Sequence, residues 1–220
     1  MPLSSYPSGF RGGSLLKEVP LFDSITGNVF WVDSNTGGAG NPGTFNRPLS
    51  TLAGAVAKCT AGKGDVIFLK PGHSETYTAA ASVVLSVSGV TVVGKGKGAL
   101  RATFVMDNTA ATISVTGANV TVSNVIIKSS VADLVTAIAL GAGSTDFHLD
   151  RVAFYDDAAA DNFIDAITTT TTDGAHSGLM ITRCEVQSDD TGNDAFLVLS
   201  GTIDRFIFED NHIVMGVADD

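Results

Sequence analysis

The feature that most constrains this chain is an internal repeat in its C-terminal half. Val120, Val122, Val125 and Ile127 recur as Phe147, Leu149, Val152 and Phe154, then as Leu179, Ile181, Cys184 and Val186, and last as Phe206, Phe208, Asn211 and Ile213. In each window, positions 1, 3, 6 and 8 point to one side. The windows follow one another every ~27–32 residues, within the range of solenoids, propellers and arrays. Strict alternation along a strand would turn position 5 inward. The chain therefore bends between positions 3 and 6 and begins a new face there. A second short apolar segment precedes each window, at 112–115, 137–140, 164–167 and 196–199. A propeller blade takes ~40–45 residues, too many for this period, and neither a leucine-rich nor a helical-pair signature is present. The pattern predicts an all-β fold, a parallel β-helix whose loops, such as 168–178, leave the stack sideways. An inward Asn in such a coil can bond the backbone of its neighbour, so Asn211 reads as a satisfied corner amide.

The N-terminal part follows other rules. Residues 1–27 hold three of the six prolines with scattered Gly and Ser and no sustained period, which reads as an extended arm. The single β-helix domain then covers 28–220. Its first strand is Val29-Phe30-Trp31-Val32, followed by a long run of turn residues from Asp33 to Gly43. Leu49, Leu52, Val56 and Cys59 form the stripe of one short helix at about 49–60, with Ser50 or Thr51 to cap it and Gly62 to end it. A solenoid's first coil exposes apolar side chains and strand edges, and this helix is placed to be its lid. A buried strand at 65–69 stops at Pro71-Gly72.

Composition removes several function classes. The chain has 220 residues, with 13 Lys and Arg against 23 Asp and Glu, for a net charge of −10. That balance argues against nucleic acid and anionic membranes, which are bound by surplus Lys and Arg. Nor does an apolar run approach the ~18 residues of a membrane span. The first residues lack the basic and apolar regions of a secretory signal. Two cysteines, Cys59 and Cys184, cannot build a disulfide framework or a multi-Cys zinc site and read as buried thiols.

A β-helix directs the search for chemistry to carbohydrate-active enzymes, which cleave glycosidic bonds with paired carboxylates or a base beside a cation cluster. Candidate acids lie at Asp156, Asp157 and Asp161, at Asp189, Asp190 and Asp194, and at Asp204, Glu209 and Asp210. Asp157 and Asp190 follow equivalent strands and fall on neighbouring coils. Acidic turn residues are also ordinary solvated corners on so acidic a chain, or holders of a calcium ion. His73, His148, His176 and His212 have no metal-ligand spacing. His176, within Gly174-Ala175-His176-Ser177-Gly178, reads as a surface residue. Gly94-Lys95-Gly96-Lys97-Gly98 lacks the ending of a phosphate loop and reads as a turn whose lysines can meet an acidic partner. The expectation is no catalytic residue, no cofactor and no metal.

Six segments carry a resemblance. They are Ser5-Tyr6-Pro7-Ser8-Gly9-Phe10, Phe30-Trp31-Val32-Asp33, Gly40-Asn41-Pro42-Gly43-Thr44-Phe45, Pro48-Leu49-Ser50-Thr51-Leu52, Gly64-Asp65-Val66-Ile67 and Pro71-Gly72-His73-Ser74-Glu75-Thr76. Together they resemble the start of a group of tailed-bacteriophage virion proteins, and the later coils are similar in character. The resemblance implies a right-handed, pectin-lyase-like β-helix carried on a virion, without implying lyase activity. The first expectation is a capsid decoration (cement) protein, a homotrimer on the outer capsid surface whose partner is the major capsid protein. Its arm contacts would fall on Tyr6, Phe10, Arg11, Leu15 and Leu16, with His73 and Glu75 as a surface contact. The alternative is a small tail-associated, tailspike-like protein that binds or degrades host surface polysaccharide.

Overall fold

A computed structural model describes residues 27–158, 161–188 and 192–216. It is a parallel β-helix of three sheets with seven, six and five strands, so about five complete coils are stacked. Each coil crosses the first face, turns onto the second, then onto the third. The first face runs from Val29–Val32 through Val66–Leu69, Thr91–Gly94, Thr121–Ser123, His148–Asp150 and Met180–Thr182 to Ile207–Glu209. On the second face lie Ser74–Tyr77, Ala102–Met106, Val125–Ser129, Ala153–Asp156, Glu185–Ser188 and His212–Met215. The third carries Val83–Leu85, Ile113–Val115, Leu134–Leu140, Phe163–Thr169 and Ala195–Val198. Equivalent window positions are direct neighbours: Leu149 pairs with Val122 and Ile181, and Phe154 with Ile127 and Val186.

The bend expected between positions 3 and 6 is a left-handed residue at position 5. Asn124, Arg151, Arg183 and Asp210 have φ of 57°, 51°, 53° and 55°. Non-Gly residues pay for that conformation, and short polar side chains offset it with local hydrogen bonds. Asn124 does so, its Nδ2 donating to the carbonyls of Gly94 at 2.7 Å and Gly96 at 3.0 Å. Inward positions of the first three windows are buried, with Phe147, Leu149, Val152 and Phe154 fully enclosed. Asn211 is the expected corner amide: Nδ2 donates to the Ile181 carbonyl and Oδ1 accepts from the Cys184 N–H, at 2.9 and 2.8 Å.

The lid is shorter than its apolar stripe suggested. The helix, α1, spans Leu52–Val56, and the Thr51 hydroxyl accepts from the Gly54 N–H at 3.2 Å. Beyond it the Lys58 and Cys59 N–H groups bond Ala55 and Val56, an i to i−3 pattern that tightens and ends the helix. Leu49 belongs instead to a bridge beside Val32, while Leu52, Ala55 and Val56 close the first coil.

Candidate functional site

Successive rungs of a parallel sheet are ~4.8 Å apart and present alternate side chains outward. On the second face the outward rungs are Ser74 and Thr76, Thr103 and Val105, Ile126 and Lys128, then Ala153 and Tyr155. One side of this face is walled by the 95–101 loop, which carries a 3-10 turn at Gly98–Leu100. The loop is pinched: a Cβ on Gly96 would lie 1.7 Å from the Leu100 oxygen. The Gly72 N–H, donating to Leu100 O at 2.8 Å, ties the loop to the coil below. Between wall and rungs lies an open groove of about 440 Å³, lined by Ser74, Arg101, Thr103, Ile126, Lys128 and Tyr155 with their neighbours.

Arg101 anchors the wall. Its Nη2 donates to the carbonyls of Val125 at 2.6 Å and Arg151 at 2.5 Å, one and two coils further on. Among the described residues its Nε is enclosed without a partner, and burial lowers the pKa of the guanidinium. Lys128 is ion-paired with Asp157 across neighbouring coils. At the far end the Tyr155 hydroxyl donates to Glu185 Oε2 at 2.9 Å, and burial together with that carboxylate pushes the phenol's pKa up. At the end of the first-face strand His148–Asp150, Asp150 sits enclosed between two arginines, with Arg183 Nε at 2.8 Å and Arg151 Nε at 2.9 Å. Burial alone would raise its pKa, but the Arg183 hydrogen bond and the Arg151 charge prevail and hold it below the usual carboxylate range.

The residues singled out in the sequence fare differently. His73 is fully buried, so the surface contact expected of His73 and Glu75 is corrected to an internal tie. His73 Nδ1 accepts from the Ser34 N–H at 2.9 Å, and Nε2 faces Glu75 Oε1 at 2.8 Å. The same Glu75 oxygen accepts from the Leu52 N–H at 2.6 Å, fastening the lid to the first coil. His176 is likewise buried rather than on the surface, because the 168–178 loop folds it against Ser144 at 2.8 Å and Thr170 at 3.0 Å. Cys184 is buried and Cys59 half-buried, and burial pushes their thiols up to about 11 and about 12. Asp157 faces Lys128, whereas Asp189, Asp190 and the arm residues Tyr6, Phe10, Arg11, Leu15 and Leu16 lie outside the described residues. Among the described residues no group of three or more His, Cys, Asp or Glu could hold a metal ion. No helix there is long and apolar enough to cross a membrane.

Sequence reasoning missed the groove, including Arg101, Lys128 and Tyr155. One signal was available: extending each window by one place gives an outward row of Lys128, Tyr155, Gln187 and Val214. It missed Asp165 as well, whose pKa is raised by burial and by neighbouring Asp194 on the third face.

The stacked coils and left-handed corners define the class: a right-handed, pectin-lyase-like parallel β-helix. No family model matches the chain, and no curated sequence relative does. Solved structures match in fold. A rhamnogalacturonan lyase superposes with a TM-score of 0.51 at 13% identity, over 87% of this chain and 63% of the lyase. The native form of a GH136 lacto-N-biosidase from Eubacterium ramulus gives 0.52 at 15%, over 80% of this chain and 36% of the biosidase. The chain thus spans less than two thirds of either neighbour.

Proposed function

We propose that this chain is a saccharide-binding β-helix of a tailed-phage virion, associated with the tail and gripping a surface polysaccharide along its second face. The observation that carries this reading is the groove. It crosses several coils of a regular sheet, so a polymer lying along the axis meets a similar rung at each step. The groove offers what sugars are held by, namely hydroxyls on Ser74 and Thr103, charged donors on Arg101 and Lys128, and a half-buried aromatic ring on Tyr155. Two fold neighbours named for enzymes of saccharide chemistry add support, as fold likeness only. The virion setting rests on the sequence resemblance. Capsid decoration as a homotrimer on the major capsid protein rests on that resemblance too, and the groove gives it nothing. Copy number per virion separates the two, hundreds of copies for a decoration protein against a few for a tail protein.

The direct test is binding of the full chain to an array of neutral and acidic bacterial glycans, followed by calorimetry on the best ligand. Tyr155→Ala should weaken that binding about tenfold, near the ~1.4 kcal/mol expected of an aromatic anchor. Failure of every glycan to bind at millimolar concentration would reject the reading. The same samples, assayed for reducing ends and unsaturated uronates, test the sequence expectation that the chain binds without cleaving.

A further inference from the structure

We infer that the groove selects saccharides carrying an acidic group, a carboxylate or a sulfate ester, held between Lys128 and the outer edge of Arg101. The inference rests on the saccharide-binding reading above. It begins from a local reversal of charge. The chain carries 23 acidic against 13 basic side chains, yet the charged side chains that line the groove and remain open to it, Arg101 and Lys128, are basic. Of the other titratable groups of the lining, His73 is enclosed with both ring nitrogens engaged. The Tyr155 phenol is pushed up in pKa by burial and Glu185, which keeps it neutral. The loop that forms the wall carries two exposed lysines, Lys97 and Lys95, the latter lying over the Phe68 ring on the first face.

Arg101 differs from the nearby arginines in making no ion pair among the described residues, the Glu185 carboxylate acting on it only from further off. Arg151 and Arg183 both reach Asp150, and Arg205 reaches Asp146. Among the described residues no carboxylate lies within ion-pair distance of Arg101, and its hydrogen bonds run only to carbonyls through Nη2. Those two bonds fix the plane of the guanidinium, and Nη1 makes no hydrogen bond among the described residues. A fixed guanidinium with a donor to spare is preorganised for an oxyanion. Lys128 can supply the second contact. Its pair with Asp157 is partly exposed on both sides, at 32% and 46%, and such pairs contribute little and exchange readily. A ligand anion can therefore take the place of Asp157. The net charge of −10 sets the other limit, since a densely charged polyphosphate or nucleic acid would be repelled by the rest of the surface. An acidic group spaced along a mostly neutral sugar chain fits both constraints.

Calorimetry on the full chain with four probes tests this: a uronic acid hexasaccharide, its carboxyl-reduced neutral counterpart, a sulfated oligosaccharide of similar length, and polyphosphate. At least one of the two acidic sugars should bind about tenfold or more tighter than the neutral one, and its affinity should fall with added salt. Which of the two binds identifies the anion. Lys128→Gln and Arg101→Gln should each remove most of that preference, weakening the acidic sugar far more than the neutral one, while Lys58→Gln, exposed beside the lid, should leave both unchanged. Should Arg101→Gln fail to fold, Lys128→Gln decides alone. Equal binding of acidic and neutral sugars, an unaltered preference in Lys128→Gln, or binding of polyphosphate alone would each overturn the inference. Equal binding leaves the saccharide-binding reading intact, whereas silence from all the sugars takes both away.

Discussion

The two ends of the solenoid carry the same kind of inward side chain and treat it differently. At the N-terminal end α1 lays Leu52, Ala55 and Val56 over the first coil, and all three are buried. In the last described coil Phe206, Phe208 and Ile213 hold the same register as the buried residues of the coil below, yet they are 38%, 41% and 38% exposed. Period therefore decides which way a side chain points, and the presence of a covering layer decides whether it is buried. Identical chemistry at equivalent positions should then contribute very different amounts to stability.

The largest effect separates interior from edge. Phe154 is enclosed and packs edge-on against Phe163 and Phe196, with ring centres 6.0 and 5.7 Å away. Phe154→Ala should destabilise the fold by about 3–5 kcal/mol in urea denaturation. Phe208→Ala, at the exposed edge, should cost about 1 kcal/mol, the ordinary value for a point change. Equal losses would show that burial does not grade along the axis.

Next comes Asp150, at a corner of an interior coil. Asp150→Asn should cost about 1.5–3 kcal/mol at neutral pH, the range for hydrogen bonds to a charged group. Because its folded pKa is held below the ordinary ~3.9, its contribution is complete above that value and disappears as pH falls through the folded one. Melting curves of the two proteins should differ near neutrality and converge in strong acid. A gap that persists in acid would mean the arginines do not act through its charge.

At the sealed end, Thr51→Ala removes the hydroxyl that caps α1 and should cost about 1 kcal/mol. A loss as large as that of Phe154→Ala would make the lid an equal partner of the core. The smallest change is His148→Asn, on the outer side of the first face, expected within about 0.5 kcal/mol by thermal melting. His148 does meet Thr182 Oγ1 at 3.0 Å, so a clearly larger loss would measure that outward hydrogen bond.

What the sequence made legible was the repeat, because apolar positions report their direction without reference to any partner. Val120 to Val186 could be assigned to faces from period alone, and the corners appeared as a break in alternation. Buried polar residues carry no such marker. His73 and His176 look like surface histidines until Ser34 and Ser144, at separations of 39 and 32 residues, supply their partners. The groove was hidden for a similar reason. Arg101 follows a Gly-Lys-rich turn, Lys128 and Tyr155 lie in different windows, and only the stacking register brings them together. The length of α1 was misread because a stripe of apolar residues continues past its end into a turn that also packs inward.

Arg101 has one more consequence. Coils of a solenoid touch only their immediate neighbours, so their stabilities combine almost as links in a chain. By grasping carbonyls one and two coils ahead, this side chain couples three consecutive coils that would otherwise open separately. Amide protons of the strands Ala102–Met106, Val125–Ser129 and Ala153–Asp156 should then exchange with solvent as one cooperative block rather than as a graded series.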